Sequence, residues 1–269
     1  MQIRNLSALI RVIRGYKHVE FAPMAGQVNE LPPKVESVLT EFVNSTKKAY
    51  ETDLRSIVLY GSGAEGKLRP TSDVNVVVIL SKFNQAKADQ LREPLRLAHA
   101  AIKLRAMFLL EEEVEPASQA FAVKFADIRR RRRVLFGDDP FAGVSVSRQD
   151  AIFRLKQTLL NLILRLRESY ISRGLREEQL VATVADAAGP LRSCAATLLE
   201  LEGAGAPSPK EALQYISSSM PGAGHRSVGI NLISDARERQ TFPPGVAAEM
   251  LFQLIELARL MWVRAAALK

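Results

Sequence analysis

The sequence predicts an α+β domain with a mixed β-sheet, followed by an all-α helical bundle, and three stretches carry that prediction. Ser56–Tyr60 is a short β-branched and apolar run, stopped by Gly61-Ser62-Gly63, residues that tolerate close backbone approach. Val74–Leu80 is almost continuously apolar, the pattern of a strand covered on both faces. From Ser147 onward the pattern changes to long helical periods. The boundaries that follow are a basic N-terminal extension over 1–30, an α+β domain over 31–146 and a helical bundle over 147–269.

Taken in order, the N-terminal extension places Ile3, Leu6, Leu9, Ile10 and Ile13 on one helical face, with Arg4, Arg11 and Arg14 around it. A secretory signal needs an uncharged apolar core, and Arg11 and Arg14 interrupt this one. A basic amphipathic helix suits a membrane surface or a partner; packing on its own domain is the preferred reading. Leu31-Pro32-Pro33 opens a helix to about Tyr50, striped by Val35, Val38, Leu39, Phe42 and Val43. After Ser56–Tyr60, the turn Pro70-Thr71-Ser72-Asp73 delivers Asp73 to the start of the next strand. Side chains on a strand alternate, so Asp73 and Asn75 share one face while Val74 and Val76 share the other. A helix over Gln85–Leu104, a short strand over Arg105–Leu110 and a helical turn over Glu111–Ser118 come next. Gln119–Ile128 is expected to be a central strand, followed by Arg129–Arg133 and by Val134-Leu135-Phe136 returning to the core. In the bundle, helices are expected over Arg148–Ser172, Glu177–Glu202 (bent at Gly189-Pro190), Lys210–Ser218, Ile230–Arg239 and Gly245–Leu268, with a loop over Met220–Ser227.

The net charge of +8 favours polyanionic partners such as nucleotides, with nucleic acid a weaker candidate, and reads equally well as a merely basic surface. Cys194 is the single cysteine, which excludes an intramolecular disulfide and fits a reducing cytoplasm. The three histidines, His18, His99 and His225, lack metal-ligand spacing, so zinc is not expected. No apolar run approaches the roughly 18–20 residues of a membrane span.

The combination of strand, Gly61-Ser62-Gly63-Ala64-Glu65-Gly66, a short polar loop, Pro70-Thr71-Ser72-Asp73 and a second strand resembles the signature of the nucleotidyltransferase superfamily. With its helical C-terminal half, the chain from about Leu31 is similar to bacterial aminoglycoside-nucleotidyltransferase-like proteins. The resemblance implies a Gly-Ser turn that offers N–H groups and a hydroxyl to phosphates, and an acidic pair spaced D-x-D. Two divalent ions about 3.5–4 Å apart then clamp the attacking and leaving oxygens as a nucleoside triphosphate loses pyrophosphate. Gly61, Ser62 and Asp73 match this pattern, but Asn75 stands at the second acidic position, and an amide holds Mg²⁺ less well than a carboxylate.

In the related pattern a third carboxylate lies on a strand corresponding to Gln119–Ile128; its position falls on Lys124, while Asp127 keeps a second acidic position. On a regular strand Lys124 and Asp127 face opposite sides, so Asp127 joins Asp73 as a metal ligand only through a bulge. Lys124 is expected within salt-bridge reach of Asp73, its ammonium serving a phosphate in place of a metal. Lys67, Ser72 and Arg129 complete the expected nucleotide-binding set. The run Arg129–Arg133 reads either as a nucleic-acid or triphosphate contact or as a solvated helix with its arginines fanned out, and the second is favoured. The resemblance also implies a general-base glutamate on the first bundle helix, but the corresponding region offers Lys156, Gln157 and Thr158, with Asp150 and Glu168 near the helix ends. Ser62, Asp73 and Asn75 are expected to converge on one cleft between the sheet and that helix.

Three functions follow. The preferred one is a catalytically degenerate nucleotidyltransferase relative, a pseudoenzyme that binds ATP or another nucleoside triphosphate with little or no Mg²⁺. The others are an active Mg²⁺-dependent enzyme acting on a hydroxyl of a small molecule, RNA or protein, and a non-catalytic interaction scaffold, with the bundle as a homodimer or partner surface.

Overall fold

The structure, a computed structural model, describes residues 30–205, 208–219, 242–243 and 245–269. The amphipathic segment of the N-terminal extension, the loop Met220–Ser227 and the helix Ile230–Arg239 lie outside the described residues. Two compact units divide the rest, with the boundary between Ala151 and Ile152.

The first unit is the α+β one. Helix α1 (Pro33–Tyr50) starts with proline at its first position, where the missing N–H costs nothing. It buries Leu39, Phe42, Thr46, Ala49 and Tyr50, and Thr46 donates to the Phe42 carbonyl at 2.8 Å. Strand β1 (Leu54–Tyr60) pairs antiparallel with β2 (Val74–Leu80), matching Tyr60 with Asn75 and Val58 with Val77. Asn84 caps α2 (Gln85–Ile102) by accepting from the Lys87 N–H at 3.2 Å, and Lys103, in the left-handed region at φ 52°, ends it. That helix returns the chain so that β3 (Leu104–Leu110) lies parallel to β2, with Arg105 opposite Asn75. The sheet order is β3-β2-β1-β4, with β4 (Arg132–Gly137) antiparallel to β1.

The expected strand over Gln119–Ile128 is instead two short helices, α3 (Val114–Ala120) and α4 (Ala122–Arg130). The burial pattern explains the correction. A strand would place Phe121 and Phe125 on one face, whereas Phe121 is 62% exposed and Phe125 is 1% exposed. Phe125 and Ile128, one helical turn apart, enter the core together, and the alanines at 120, 122 and 126 suit a helix. The sheet position is taken by Arg132–Gly137, so the last two arginines of the basic run belong to a strand.

Period-two alternation gives the sheet two dry faces. Ile57, Leu59, Val74, Val76, Val78 and Leu80 pack with α1 and α2, while Val58, Val77 and Ile79 pack with Val114, Phe125, Ile128 and Phe141. Every residue from Val76 to Leu80 is buried, as the apolar run predicted.

The second unit has no strand among its described residues. It contains most of α5 (Arg148–Arg173), then α6 (Glu177–Leu201), which runs through Pro190, α7 (Pro209–Ser218) and α8 (Val246–Ala266). Ser208 and Glu211 form a capping box at the start of α7. Arg264 on α8, 3% exposed, makes a two-pronged ion pair with Glu202 at 3.0 and 2.5 Å, and Cys194 is fully buried in α6. The fold class is therefore the one read from the sequence, with one strand relocated.

Gly137 has φ +74°, and a Cβ there would fall 2.0 Å from the Arg55 carbonyl oxygen. Gly137→Ala is expected to cost about 3 kcal/mol, while Gly143→Ala, with open space around it, changes stability by less than about 0.5 kcal/mol. Urea denaturation of the two variants checks both.

Candidate functional site

The residues singled out by their motif lie at one end of the sheet. There β1 runs out at Tyr60, β2 begins after Asp73, β3 begins at Leu104 and β4 begins at Arg132. Asn75 pairs with Tyr60 on one side and Arg105 on the other, so all three side chains issue on the sheet face that carries Val58, Val77 and Met107. Asp73 belongs to the same alternation, and its Oδ2 lies 3.2 Å from Nε of Arg105.

The loop after β1 is wound tightly. Gly61 has φ +76°, in the left-handed region that glycine enters freely, and its N–H donates to the Arg131 carbonyl at 2.9 Å. The carbonyls of Gly61, Ser62 and Gly63 accept from the N–H groups of Glu65, Lys67 and Gly66 at 3.3, 2.9 and 3.2 Å. The N–H groups of Ser62, Gly63 and Ala64 have no backbone acceptor among the described residues, the state of the first turn of a helix. Successive N–H groups presented this way form an anion-binding concavity. Ser72 steadies the loop's far end, its hydroxyl accepting from the Arg69 N–H at 3.1 Å and its own N–H donating to the Arg69 carbonyl at 2.9 Å.

Ion pairs fasten this loop to α4. Arg131 bonds to Glu65 at 3.1 Å, to Asp127 Oδ1 at 3.0 Å, and also to Asp127 Oδ2. Burial opposes its charge, but Asp127 and Glu65 outweigh burial and hold its pKa above the ordinary arginine value. Tyr60 is shifted upward too, first by burial and then by the carboxylates of Asp127 and Asp73, against the opposing pull of Arg105.

The sequence-expected residues divide accordingly. Gly61, Ser62, Ser72, Asp73 and Asn75 come to one sheet end, and Lys67 stands exposed on the loop. Lys124 does not pair with Asp73 as expected, because it sits on a helix and not on a strand; its ammonium lies 3.5 Å from the Met107 sulfur. Partial burial lowers its pKa. Asp127 is drawn into the Arg131 pair. The cation beside Asp73 is Arg105, which the sequence reading did not select. Its one signal was an arginine in the second position of an otherwise apolar strand, Leu104-Arg105-Ala106-Met107-Phe108-Leu109-Leu110.

The basic run is largely neutralised within the chain. Arg132 makes a fork with Asp139 at 2.9 and 2.7 Å, Arg133 reaches Glu36 at 3.2 Å, and Arg131 is committed as above. Arg129 is exposed. Asp139 is held below the usual carboxylate range: burial would raise it, but the Arg132 bonds and the Phe141 N–H outweigh that. Among the described residues, no three or more His, Cys, Asp and Glu side chains gather where they could hold a metal ion. No described helix is long and apolar enough to cross a membrane.

No protein-family profile matches the chain, and no curated protein matches it in sequence. A solved structure does resemble it: the spectinomycin adenyltransferase AAD(9) from Enterococcus faecialis, determined with ATP and spectinomycin, superposes with a TM-score of 0.60. The likeness covers 83% of this chain and 99% of that one at 12% identity. The chain has a nucleotidyltransferase-like fold.

The Arg131 side chain ties the loop to α4, a link that a single substitution breaks. Arg131→Ala should destabilise the first unit by about 3 kcal/mol, because it removes the guanidinium that lies between the carboxylates of Glu65 and Asp127. Arg131→Lys should recover only part of this, because lysine lacks the planar fork that spans both. Equilibrium denaturation of the two variants measures the difference.

Proposed function

We propose that the protein binds a nucleoside triphosphate at the sheet end formed by Gly61–Lys67, Asp73 and Asn75, and that nucleotidyl transfer is weak or lost. The observation that carries this reading is the Asp73–Arg105 pair beside the anion-accepting loop. Transfer of this class is driven by two divalent ions held between carboxylates and the triphosphate. Here the carboxylate of Asp73 faces a guanidinium, the neighbouring side chain is the neutral amide of Asn75, and Asp127 is spent on Arg131. That donor set does not suit Mg²⁺, which needs several oxygen ligands in octahedral array and favours carboxylates among them.

A triphosphate is not disfavoured in the same way. The loop N–H groups of Ser62, Gly63 and Ala64 suit phosphate oxygens, as do the exposed cations Lys67 and Arg129, with Lys124 available on the same sheet face. The likeness to a protein solved with ATP supports a nucleotide as the ligand. With the metal-ligating charges displaced, the chain retains the means to hold phosphates and lacks the means to activate them, which is the condition of a pseudoenzyme.

Calorimetric titration with ATP, with and without Mg²⁺, tests this. Binding is expected without Mg²⁺ and should gain nothing from the cation, and pyrophosphate release from ATP should stay at background. Tight binding that requires Mg²⁺, or robust pyrophosphate release, returns the active-enzyme reading.

A further inference from the structure

We propose that Arg105 is the principal phosphate-binding side chain of this site, and that it selects the metal-free nucleotide by exchanging its bond to Asp73 for bonds to the ligand. The proposal rests on the nucleotide-binding reading above and adds the residue, the form of the ligand and the device that sets the affinity.

The pairing of β2 with β3 brings Arg105 beside Asn75, next to the carboxylate that begins β2. The pair is open to solvent, with side-chain exposures of 66% for Arg105 and 37% for Asp73. An ion pair this exposed contributes little to stability, so it is not a strut of the fold and can be broken without unfolding the sheet. Three other arginines near this end are differently placed. Arg131 is committed to Glu65 and Asp127, Arg132 to Asp139 and Arg133 to Glu36. Arg105 is held by a single weak partner, on the face toward which Tyr60 and Asn75 project.

A guanidinium binds phosphate oxygens two at a time, and a polyphosphate carries more charge than one carboxylate. Asp73 is then an internal competitor: it neutralises Arg105 until a stronger anion arrives, after which it stands free beside bound phosphate and repels it. Mg²⁺ already coordinated to the phosphates would lower the charge that Arg105 reads, so the uncomplexed nucleotide is the preferred form.

This predicts a sign that metal-dependent binding reverses. If Asp73 served to hold a cation, Asp73→Asn would weaken nucleotide binding; if it competes for Arg105, the same substitution tightens it. Affinities for ATP and for inorganic triphosphate, measured in EDTA and in excess Mg²⁺, are expected to rise severalfold in Asp73→Asn and to fall about tenfold or more in Arg105→Ala. Arg105→Lys should lie between Arg105→Ala and the natural chain. Mg²⁺ should weaken binding by the natural chain. Thermal melting of each variant reports whether the fold is kept, and an intact melt is expected because the pair is exposed. If the natural chain binds ATP and Arg105→Ala binds it equally well, or if Asp73→Asn weakens binding, the role given to Arg105 is overturned while the nucleotide reading stands. If the natural chain binds neither ATP nor triphosphate, the nucleotide reading falls and takes this proposal with it.

Discussion

The pairing of Tyr60 with Asn75 is the constraint on which the rest of this molecule depends. It closes the antiparallel ladder of β1 and β2, and a slip of one residue would turn every side chain of β2 to the other face. With the register as it stands, Val76 and Val78 meet α1 and α2, while Val77 and Ile79 meet Phe125 and Ile128. Asn75 is thereby sent to the side where Arg105 arrives from β3, and the thirteen residues 61–73 must close as a loop between the two strand ends. Both hydrophobic layers and the polar end of the sheet follow from one match of register.

Charge is distributed around that frame in two ways. Where arginines are half-buried they are matched: Arg131 by Glu65 and Asp127, Arg132 by Asp139, Arg133 by Glu36. Leaving such a group unmatched away from water is expensive, so these pairs accompany the fold whatever the ligand. Arg105 is mostly exposed and faces its carboxylate through one long contact. The densest basic stretch of the sequence is therefore mainly architectural, while a solitary arginine on an outer strand stays open to a ligand.

Much of this was legible in the sequence. The runs Ser56–Tyr60 and Val74–Leu80 are apolar on both sides and could hardly be anything but central strands, and the periodicities of α1, α2 and the bundle helices are long enough to be unambiguous. Gln119–Ile128 misled because its alanines leave both periods readable; only the burial of Phe125 against the exposure of Phe121 decides for helix, and burial is a tertiary fact. The loop and Asp73 could be placed from local turn chemistry. Arg105 could not, since its position beside Asn75 depends on how far α2 carries the chain before β3 pairs, and no local pattern encodes that register.

The outer strands of the sheet have a consequence for how the protein behaves among its own copies. β3 and β4 each present one row of backbone N–H and C=O groups with no neighbouring strand among the described residues, and open rows of this kind are templates for edge-to-edge association. Both strands carry arginine near their start, Arg105 in the second position of one and Arg132-Arg133 at the head of the other. A second sheet approaching either border in register would bring its own arginines against these, and like charges directly opposite one another are destabilising. The guanidinium that faces Asp73 thus also guards a border of the sheet, and a change there made for the sake of chemistry would alter the tendency to aggregate as well.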